Sequence, residues 1–293
     1  MEMHQLRYVV SVARTGNFSR AAEQCHVSQP SLSQQIQKLE EELGERLFDR
    51  LKRHVKLTAV GENFVPRAAR ILEEVESASR EARDVQGLVH GTVAIGVLPT
   101  IAPYLLPRVI AAFAKKYPGL EVVVQEETTA QLLKLAAACE LDFAIASLPI
   151  PDERFVKETL FSEELFLAVP PGHRLAKRRG VAASDLEKER FILMKEGHCL
   201  GDQVLRFCNR RDFQPQVSLR STQIETIKAL VRAGLGISLI PAMAIESLKS
   251  ASPVYRSLIR PSPTRDICVM WPRNRPPGVP GQAFLQVLRD DVG

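Results

Sequence analysis

The feature that most constrains this chain is a set of three short helical patterns joined by tight turns within residues 1–58. In each pattern apolar residues recur every three or four positions, the period of a helix with one buried face. Gly16 predicts that the first helix ends in a left-handed residue, and Ser19 is the predicted cap of the second helix. The third helix is predicted to start near Pro30 and to end at Gly44. A basic stretch follows and predicts two short strands around a turn. Residues 1–58 therefore predict a small helical unit with a β-wing.

The turn between the second and third helices is short, and the third helix starts with polar residues, which is the plan of a helix-turn-helix. Such a helix enters the major groove of DNA, where glutamine can bind adenine through two hydrogen bonds. A helical bundle with a solvated polar face is the alternative interpretation. The candidate DNA-contacting residues are Gln29, Ser31, Ser33, Gln34 and Gln37 on the helix and the basic Arg50, Lys52, Arg53 and Lys56 on the wing.

Residues 59–89 predict a linker helix with a strict heptad pattern. Spacings of four and three residues place one apolar seam along the helix, as expected of a helix that pairs with a second copy of itself. A single amphipathic helix lying on its own domain is the alternative. The seam consists of Phe64, Ala68, Ile71, Val75, Ala78, Ala82 and Val85.

From residue 90 to residue 293 strand patterns alternate with helical patterns, so the fold class is α/β overall with a largely parallel sheet. Thr222 and Glu225 predict a capping box at the start of one helix. Two extended crossings near residues 155–169 indicate two lobes around a cleft suited to a small ligand. We expect lobe I to comprise about 90–162 and 267–293, and lobe II about 163–266.

The sequence lacks the residues that several functional classes need. The sequence contains no HExxH, CxxC, P-loop or GxSxG motif, and its histidines are not spaced as metal ligands, so we expect no enzyme, metal or cofactor. The five cysteines are too scattered for a secreted disulfide framework. With no signal sequence and no apolar span of membrane length, we expect a cytoplasmic protein without a membrane partner. The net charge of +5 permits a polyanionic partner.

The segment from Leu6 to Glu62 resembles the DNA-binding domain of the LysR-type transcriptional regulators. The resemblance includes the Ala21–Ala22 pair, SQPSLSQQI, LEEELGERLFDR and the LT-x-x-G at residues 57–61. It implies a winged helix-turn-helix, a dimerising linker helix and a two-lobed domain similar to periplasmic binding proteins. By matching position it adds Pro30 to the residues on the base-contacting helix. The implied partners are promoter DNA, further copies of the chain as a dimer of dimers, and RNA polymerase.

Two cysteines in KEGHCLGDQVLRFC indicate the kind of signal that the protein detects. Cys199 is predicted to start a helix beside His198, and both a helix start and an imidazole favour thiolate, the species that peroxide attacks. On a continuous helix Cys199 and Cys208 would be about 13 Å apart along the axis, on opposite faces, so a disulfide would require the segment to refold. The alternative, on spacing alone, is two core cysteines.

Residues 197–208 resemble the redox loop of the peroxide-sensing OxyR subfamily. Elsewhere in the chain, further stretches are similar to other parts of that subfamily: LPTIAPYLLP, TTAQLLKLAAACELD and STQIETIKALVRAGLGISLIPAMA. The resemblance implies that Cys199 is the peroxide-reactive thiol and Cys208 its resolving partner in an activator of oxidative-stress genes. It also implies a peroxide pocket formed by Thr100, Thr129, His198 and Asp202, with Arg265 as a weaker candidate. Helix capping is the alternative role of the two threonines, and a favourable helix-dipole position that of Asp202. A regulator responding to a small organic or anionic effector in the interlobe cleft, and a thiol peroxidase, are the competing interpretations.

Overall fold

In a computed structural model the chain forms two compact units, residues 1–87 and 88–293, here called the N-terminal and C-terminal units. The structure describes residues 1–51, 54–84, 91–211, 213–245, 253–259 and 261–292. Each unit has its own buried apolar core, as expected of separate domains.

The N-terminal unit consists of three helices, a hairpin and a long helix. Its core comprises residues from the three helices, such as Val9, Ala22 and Ile36, together with Phe48 of the hairpin. The winged helix-turn-helix that the sequence predicts is therefore present. The elements are α1 (Met3–Thr15), α2 (Phe18–Gln24), α3 (Gln29–Leu43), β1 (Phe48–Leu51), β2 (His54–Leu57) and α4 (Ala59–Asp84).

The helix ends of this unit confirm part of the sequence prediction. Gly16 and Gly44 adopt left-handed backbone conformations, with φ of 62° and 71°, which glycine adopts without steric cost. The predicted cap on α2 was wrong, because Asn17 and not Ser19 is the cap. The Asn17 side chain accepts hydrogen bonds from the backbone N–H groups of Ser19 and Arg20. Asparagine one residue earlier satisfies two free N–H groups at once.

The predicted seam of α4 divides into two parts. Ala68 is buried and Phe64 packs partly against the core of its own unit, as the single-helix alternative expects. Ile71 and Val75 are exposed on the same helix. The side chains of Ala78 and Ala82 and all of Val85 lie outside the described residues. Pairing of this helix with a second copy stays a prediction.

The C-terminal unit contains a seven-stranded sheet in the order β10-β6-β11-β5-β3-β4, with β9 also paired to β6, and a separate parallel pair of β7 and β8. Its helices flank these strands. The elements are β3 (Gly91–Val97), α5 (Ala102–Lys116), β4 (Leu120–Glu126), α6 (Thr129–Ala137), β5 (Phe143–Ser147), β6 (Phe155–Val169), β7 (Arg190–Met194), α7 (Cys199–Asn209), β8 (Gln216–Ser221), α8 (Ile224–Arg232), β9 (Ser238–Pro241), β10 (Val254–Arg256), β11 (Thr264–Pro272) and α9 (Val279–Val292).

The prediction of a largely parallel sheet was wrong for the larger sheet. Only β3 with β4 and β3 with β5 pair in parallel, whereas β11 is antiparallel to both β5 and β6. The cause is the path of the chain, since β11 runs against its two neighbours after the chain has crossed the second lobe. The mixed helix and strand content confirms the α/β class.

Two apolar cores divide this unit into two lobes. The lobe I core lies among β3, β5, β11, α5, α6 and α9, and the lobe II core among β7, β9, α7, α8 and the end of β6. The two extended crossings predicted near residues 155–169 are one continuous strand, β6, which pairs with β11 in lobe I and with β9 and β10 in lobe II. The domain and lobe boundaries stay predictions.

The capping box predicted for α8 was wrong. Gln223, without a side-chain hydrogen bond, precedes this helix. Glu225 instead accepts a hydrogen bond from the hydroxyl of Tyr104 at 2.7 Å and from the Lys228 ammonium at 2.9 Å. These stronger partners, one from lobe I and one with a charge, occupy the carboxylate that the box would have used.

Candidate functional site

Both cysteines of interest lie on the continuous helix α7. Cys199 is its first residue, Cys208 its last but one, and neither is in a disulfide. Nine helical steps separate their backbones by about 13 Å along the axis. A disulfide requires Cα atoms within about 7 Å, so this structure corresponds to the reduced protein.

One face of α7 packs into the lobe II core. Leu200, Val204 and Cys208, spaced four residues apart, are buried there. Gly201 permits a close approach to β7, because a Cβ atom at this position would lie 2.9 Å from the backbone oxygen of Met194. Cys199 packs instead against the lobe I core. The start of α7 therefore contacts the cores of both lobes, whereas its end packs into lobe II.

A buried arginine lies beside the start of α7. Arg265 on β11 donates a hydrogen bond to Glu163 Oε1 at 2.7 Å, to Thr100 Oγ1 at 2.9 Å and to the Thr100 carbonyl at 3.2 Å. Its side chain has no exposed surface. Glu163 Oε2 also accepts the backbone N–H of Met243 at 2.9 Å. The guanidinium is thus fixed in place by a fully hydrogen-bonded ion pair, which is how a buried charge is tolerated.

The Cys199 thiol experiences opposing influences. Burial raises its pKa most, the positive charge of Arg265 and the hydroxyl of Thr129 lower it, and the Asp202 carboxylate raises it. The net result is a raised pKa, so the expected thiolate was wrong for this state. Because burial is the largest influence, the thiol is mostly protonated near neutral pH, and Arg265 and Thr129 provide the stabilisation of the thiolate that remains.

His198 does not activate the thiol as expected. Burial and the charge of Lys195 lower the pKa of its imidazole, which favours the neutral ring. No positive charge from His198 contributes to the pKa of Cys199. His198 precedes α7 without capping it through its side chain. The cationic partner of Cys199 is Arg265, which the sequence offered only as a weaker candidate.

The other predicted pocket residues occupy different positions. Thr129 lies beside Cys199, and its buried Oγ1 has no hydrogen-bond partner of full geometry. Thr100 is buried and held by Arg265, while Asp202 is exposed on the first turn of α7. The capping alternative fails for the two threonines, since Ile101 precedes α5 and Thr128 precedes α6.

Sequence reasoning missed Gln203 and Glu163. Gln203 Nε2 donates to Ser147 Oγ at 2.8 Å and to the Leu148 carbonyl at 3.0 Å, which attaches α7 to lobe I. Glu163 anchors Arg265. A glutamine on a polar helix face and a glutamate in a strand carry no distinctive pattern. Only the position of Glu163 opposite Arg265 across the β6–β11 ladder reveals the ion pair.

The other four cysteines differ in burial. Burial raises the pKa of Cys208 and of Cys268 to about 12. Cys268 lies in the lobe I core, near enough to Cys199 for a Cys199 thiolate to raise its pKa further. Cys25 and Cys139 are half-buried.

In the N-terminal unit, the predicted DNA-contacting residues of α3 lie mainly on its solvent-facing side. Ser33 is half-buried, and Ser28 caps the helix by accepting a hydrogen bond from the Ser31 N–H at 3.3 Å. Lys52 and Arg53 lie outside the described residues, as does the side chain of Arg50 in β1. Lys56 is exposed on β2. The exposed candidates of α3 are Gln29, Pro30, Ser31, Gln34 and Gln37.

The described residues hold neither a cluster of metal ligands nor a helix of membrane length. Among them no three His, Cys, Asp or Glu side chains cluster as metal ligands. In the same part of the chain, every helix is too short or too polar to cross a membrane.

Comparison with known proteins identifies the family. Residues 3–62 match the family described as bacterial regulatory helix-turn-helix protein, lysR family, and residues 86–293 match the LysR substrate binding domain. The chain is 37% identical over its whole length, and over 95% of the relative, to a hydrogen peroxide-inducible genes activator of Dickeya chrysanthemi. It is 38% identical to the DNA-binding transcriptional dual regulator OxyR of Escherichia coli, with all of this chain and 95% of that protein covered.

A solved structure has the same architecture. The full-length OxyR of Pseudomonas aeruginosa, in a cysteine-to-aspartate variant, superposes with a TM-score of 0.80 at 32% identity over 100% of this chain and 94% of that one. The two curated relatives are regulators of transcription and not enzymes, as the sequence predicted. The chain belongs to the LysR family of bacterial helix-turn-helix regulators and, within it, to the OxyR subfamily.

Proposed function

We propose that this protein is a DNA-binding transcription activator that responds to hydrogen peroxide through a reversible Cys199–Cys208 disulfide. The names of its relatives support the class of signal. The observation that carries the proposal is the environment of Cys199 at the start of α7, beside the buried charge of Arg265 and the unsatisfied hydroxyl of Thr129. Oxidative-stress genes are the proposed targets.

The first step consumes one peroxide molecule. The Cys199 thiolate attacks one peroxide oxygen, the O–O bond breaks, and Cys199 becomes a sulfenic acid while hydroxide leaves and is protonated to water. Arg265 stabilises the small thiolate fraction, as a fixed positive charge does in a buried site. The free hydrogen-bonding capacity of Thr129 Oγ1 suits an oxygen of the incoming peroxide.

The other pocket residues have supporting roles in this proposal. Thr100 orients Arg265 by accepting two hydrogen bonds from its guanidinium group, one at the hydroxyl oxygen and one at the carbonyl oxygen. The neutral His198 and the exposed Asp202 flank the start of α7, where they can bind water. The pocket therefore depends on residues from both lobes of the C-terminal unit.

The second step is the resolution of the sulfenic acid. The Cys208 sulfur attacks the Cys199 sulfur, the S–O bond breaks, and a disulfide and one water molecule are formed. About 13 Å of helix separates the two backbones, so α7 must unwind before the sulfurs meet. The buried face with Leu200, Val204 and Cys208 must then leave the lobe II core. Oxidation thereby exchanges one local structure for another, which is a switch between two discrete states.

The output of this switch is a change in DNA binding. We propose that α3 contacts bases through Gln29, Pro30, Ser31, Ser33, Gln34 and Gln37, and that Arg50, Lys52 and Arg53 of the wing contact the phosphate backbone. Pairing through α4 would give a dimer, and a dimer of dimers would occupy a promoter where it engages RNA polymerase.

The decisive experiment maps the disulfide. We expect the reduced protein, treated with a slight excess of hydrogen peroxide and then alkylated, to show a Cys199–Cys208 linkage by mass spectrometry and an altered footprint on promoter DNA. Cys199→Ser abolishes both effects, whereas Cys25→Ser in the N-terminal unit leaves both intact. A footprint that changes with peroxide while both thiols remain alkylatable contradicts the proposal.

A further inference from the structure

Lobe II carries a basic surface around a short 3₁₀ helix, Arg174–Lys177, and the two residues that follow it. Leu175 and Ala176 of this segment are buried in the lobe II core, which fixes the backbone in place. The positively charged side chains beside them point outward. They are the exposed Arg174, Lys177, Arg178 and Arg179, and together with the half-buried Arg256 they are here called the basic surface.

Two carboxylates orient part of the basic surface. Arg174 donates hydrogen bonds to Glu189 Oε1 at 2.8 Å and to the Asp185 carbonyl at 2.7 Å. Arg178 donates to Asp185 Oδ2 at 2.6 Å. These ion pairs hold two of the five cationic groups in position and neutralise their charge, although both arginine side chains remain about half exposed.

The other three cations keep their charge. Lys177 and Arg179 make no hydrogen bond or ion pair within the described part of the chain. Arg256 donates to the carbonyls of Ala176 and Tyr255, which are neutral groups. Five positive charges thus lie together against two negative ones, and their mutual repulsion would be relieved by a polyanion.

The charge of the whole chain is distributed in the same direction. Residues 1–87 contain 13 Lys or Arg and 13 Asp or Glu, whereas residues 88–293 contain 26 and 21. The net charge of +5 therefore lies entirely in the C-terminal unit. Proteins owe their sequence-independent affinity for DNA to lysines and arginines that displace counterions from phosphates. The N-terminal unit has no excess of these residues, so a second basic surface would add what it lacks.

The composition of the basic surface favours a nucleic acid over a protein as the partner. Across residues 171–179 no aromatic or branched aliphatic side chain is exposed. The centre of a protein interface is enriched in aromatic residues and depleted of charge. A phosphate backbone, in contrast, is bound by arginine through paired hydrogen bonds and by lysine as a point charge.

We propose that the basic surface of lobe II contacts the phosphate backbone of DNA, in addition to the contacts proposed for the N-terminal unit. Lys177 and Arg179 contribute most, because their charge is not neutralised within the described chain. Phosphate contacts carry no sequence information, so this surface strengthens binding to promoter and unrelated DNA alike. The proposal does not depend on the oxidation of Cys199.

The test measures the DNA affinity of the reduced full-length chain at several salt concentrations. Fluorescence anisotropy is recorded with two labelled duplexes of equal length, one carrying the promoter site and one of scrambled sequence. The slope of log affinity against log salt reports the number of phosphates neutralised. We expect Lys177→Ala/Arg179→Ala to make this slope shallower by about 1–2 on both duplexes and to weaken both by about tenfold at low salt. The ratio of the two affinities should stay the same.

Two control variants separate the position of the charges from their number. Lys115→Ala/Lys134→Ala removes two exposed charges from lobe I and should leave both slopes unchanged. Lys177→Arg/Arg179→Lys keeps both charges on the basic surface and should retain the slope of the unsubstituted chain.

Three results would overturn the proposal. The first is an unchanged slope in Lys177→Ala/Arg179→Ala, and if transcription activation is lost at the same time, the partner of the basic surface is an acidic protein. The second is an equal decrease in Lys115→Ala/Lys134→Ala, which would assign the effect to net charge. The third is a loss of promoter binding alone, which would assign it to base recognition. If the unsubstituted chain binds neither duplex, the DNA-binding function itself fails.

Discussion

At the scale of single residues, the balance around Cys199 is the central feature. Burial opposes ionisation of the thiol. The charge of Arg265 on β11 and the hydroxyl of Thr129 on α6 favour it. A sulfur in such a site is mostly protonated, yet Arg265 and Thr129 stabilise the thiolate fraction that does form. Reactivity then depends on two neighbours that are distant in sequence, Thr129 and Arg265.

Replacing Thr129 tests this balance without disturbing the ion pair. Thr129→Val removes the hydroxyl that lowers the pKa of Cys199, so the thiolate fraction falls. We expect the rate of peroxide reaction at pH 7.5 to decrease about three- to tenfold, in line with the roughly 0.5–1.5 kcal/mol that an ordinary hydrogen bond contributes. Stopped-flow measurement of Cys199 oxidation provides the rate.

The pH dependence of the Cys199 oxidation rate tests the direction of the pKa shift. Because the pKa of Cys199 is raised, its thiolate fraction and its oxidation rate increase as pH rises above neutrality. In Thr129→Val the same rise should occur at still higher pH. Thr128→Val is the matched control, since Thr128 is adjacent and makes no side-chain capping bond. Equal loss of rate in the two variants would assign the effect to packing of α6.

The residues of the site were predictable to different degrees. Cys199, Cys208 and Thr129 belong to compact patterns that resemblance to the subfamily detects. The role of Arg265 depends on Glu163, which lies 102 positions away in the chain. Burial of the thiol, which reverses the expected effect of the helix start on its pKa, arises from the packing of two lobes and has no local signal.

At the scale of elements, α7 combines a functional segment with a packing segment. Its apolar face stabilises the lobe II core, and each buried aliphatic side chain contributes about 1.5–3 kcal/mol. Any rearrangement of the cysteines must first overcome that contribution. In the proposed mechanism, the helix therefore sets the threshold for the rearrangement that follows oxidation of Cys199.

A substitution on the buried face lowers this threshold. Val204→Ala removes two methyl groups from the lobe II core and should destabilise docking of α7 by about 2 kcal/mol. We expect the disulfide to form faster once Cys199 is oxidised, because unwinding costs less. Quenched-flow alkylation with mass spectrometry measures this step.

The control is a cavity of the same size elsewhere in that core. Val231→Ala on α8 is buried in the lobe II core and does not lie on α7. It should lower the unfolding free energy in urea by a similar amount and leave the rate of disulfide formation unchanged. If both variants accelerate disulfide formation equally, the overall stability of the lobe II core and not the docking of α7 determines the rate.

Elements were easier to predict than their pairing. The helical and strand patterns of the C-terminal unit gave most elements near their observed bounds, because periodicity is a local property. The direction of β11 could not be derived, since it depends on where the chain re-enters the sheet. The cap of α2 shifted because Asn17 accepts two backbone hydrogen bonds, and the box predicted for α8 is absent because Glu225 accepts hydrogen bonds from Tyr104 and Lys228 instead.

At the scale of the whole molecule, assembly is the property most open to test. Ile71 and Val75 are exposed by 41% and 50% on α4, and both belong to the heptad seam. Contiguous exposed apolar side chains of this kind mark contact surfaces. Ile71→Asp would place a charge in the proposed helix pair.

We expect Ile71→Asp to shift the protein toward the monomer in sedimentation velocity and to weaken binding to promoter DNA at least tenfold. Asn63→Asp introduces the same charge on an exposed position of α4 outside the seam and should change neither. Unchanged assembly in Ile71→Asp would show that the dimer forms through another surface.

The unbroken course of β6 has a mechanical consequence. Its 15 residues pair with β11 up to Glu164 and with β9 and β10 from Leu165 onward, so neither lobe can pivot on a loop at this crossing. A continuous extended strand resists bending, because bending breaks ladder hydrogen bonds, but it yields to torsion about its own axis. A disturbance that starts at α7 would therefore reach lobe I as a rotation about the axis of β6, reduced by the twist that the strand itself absorbs.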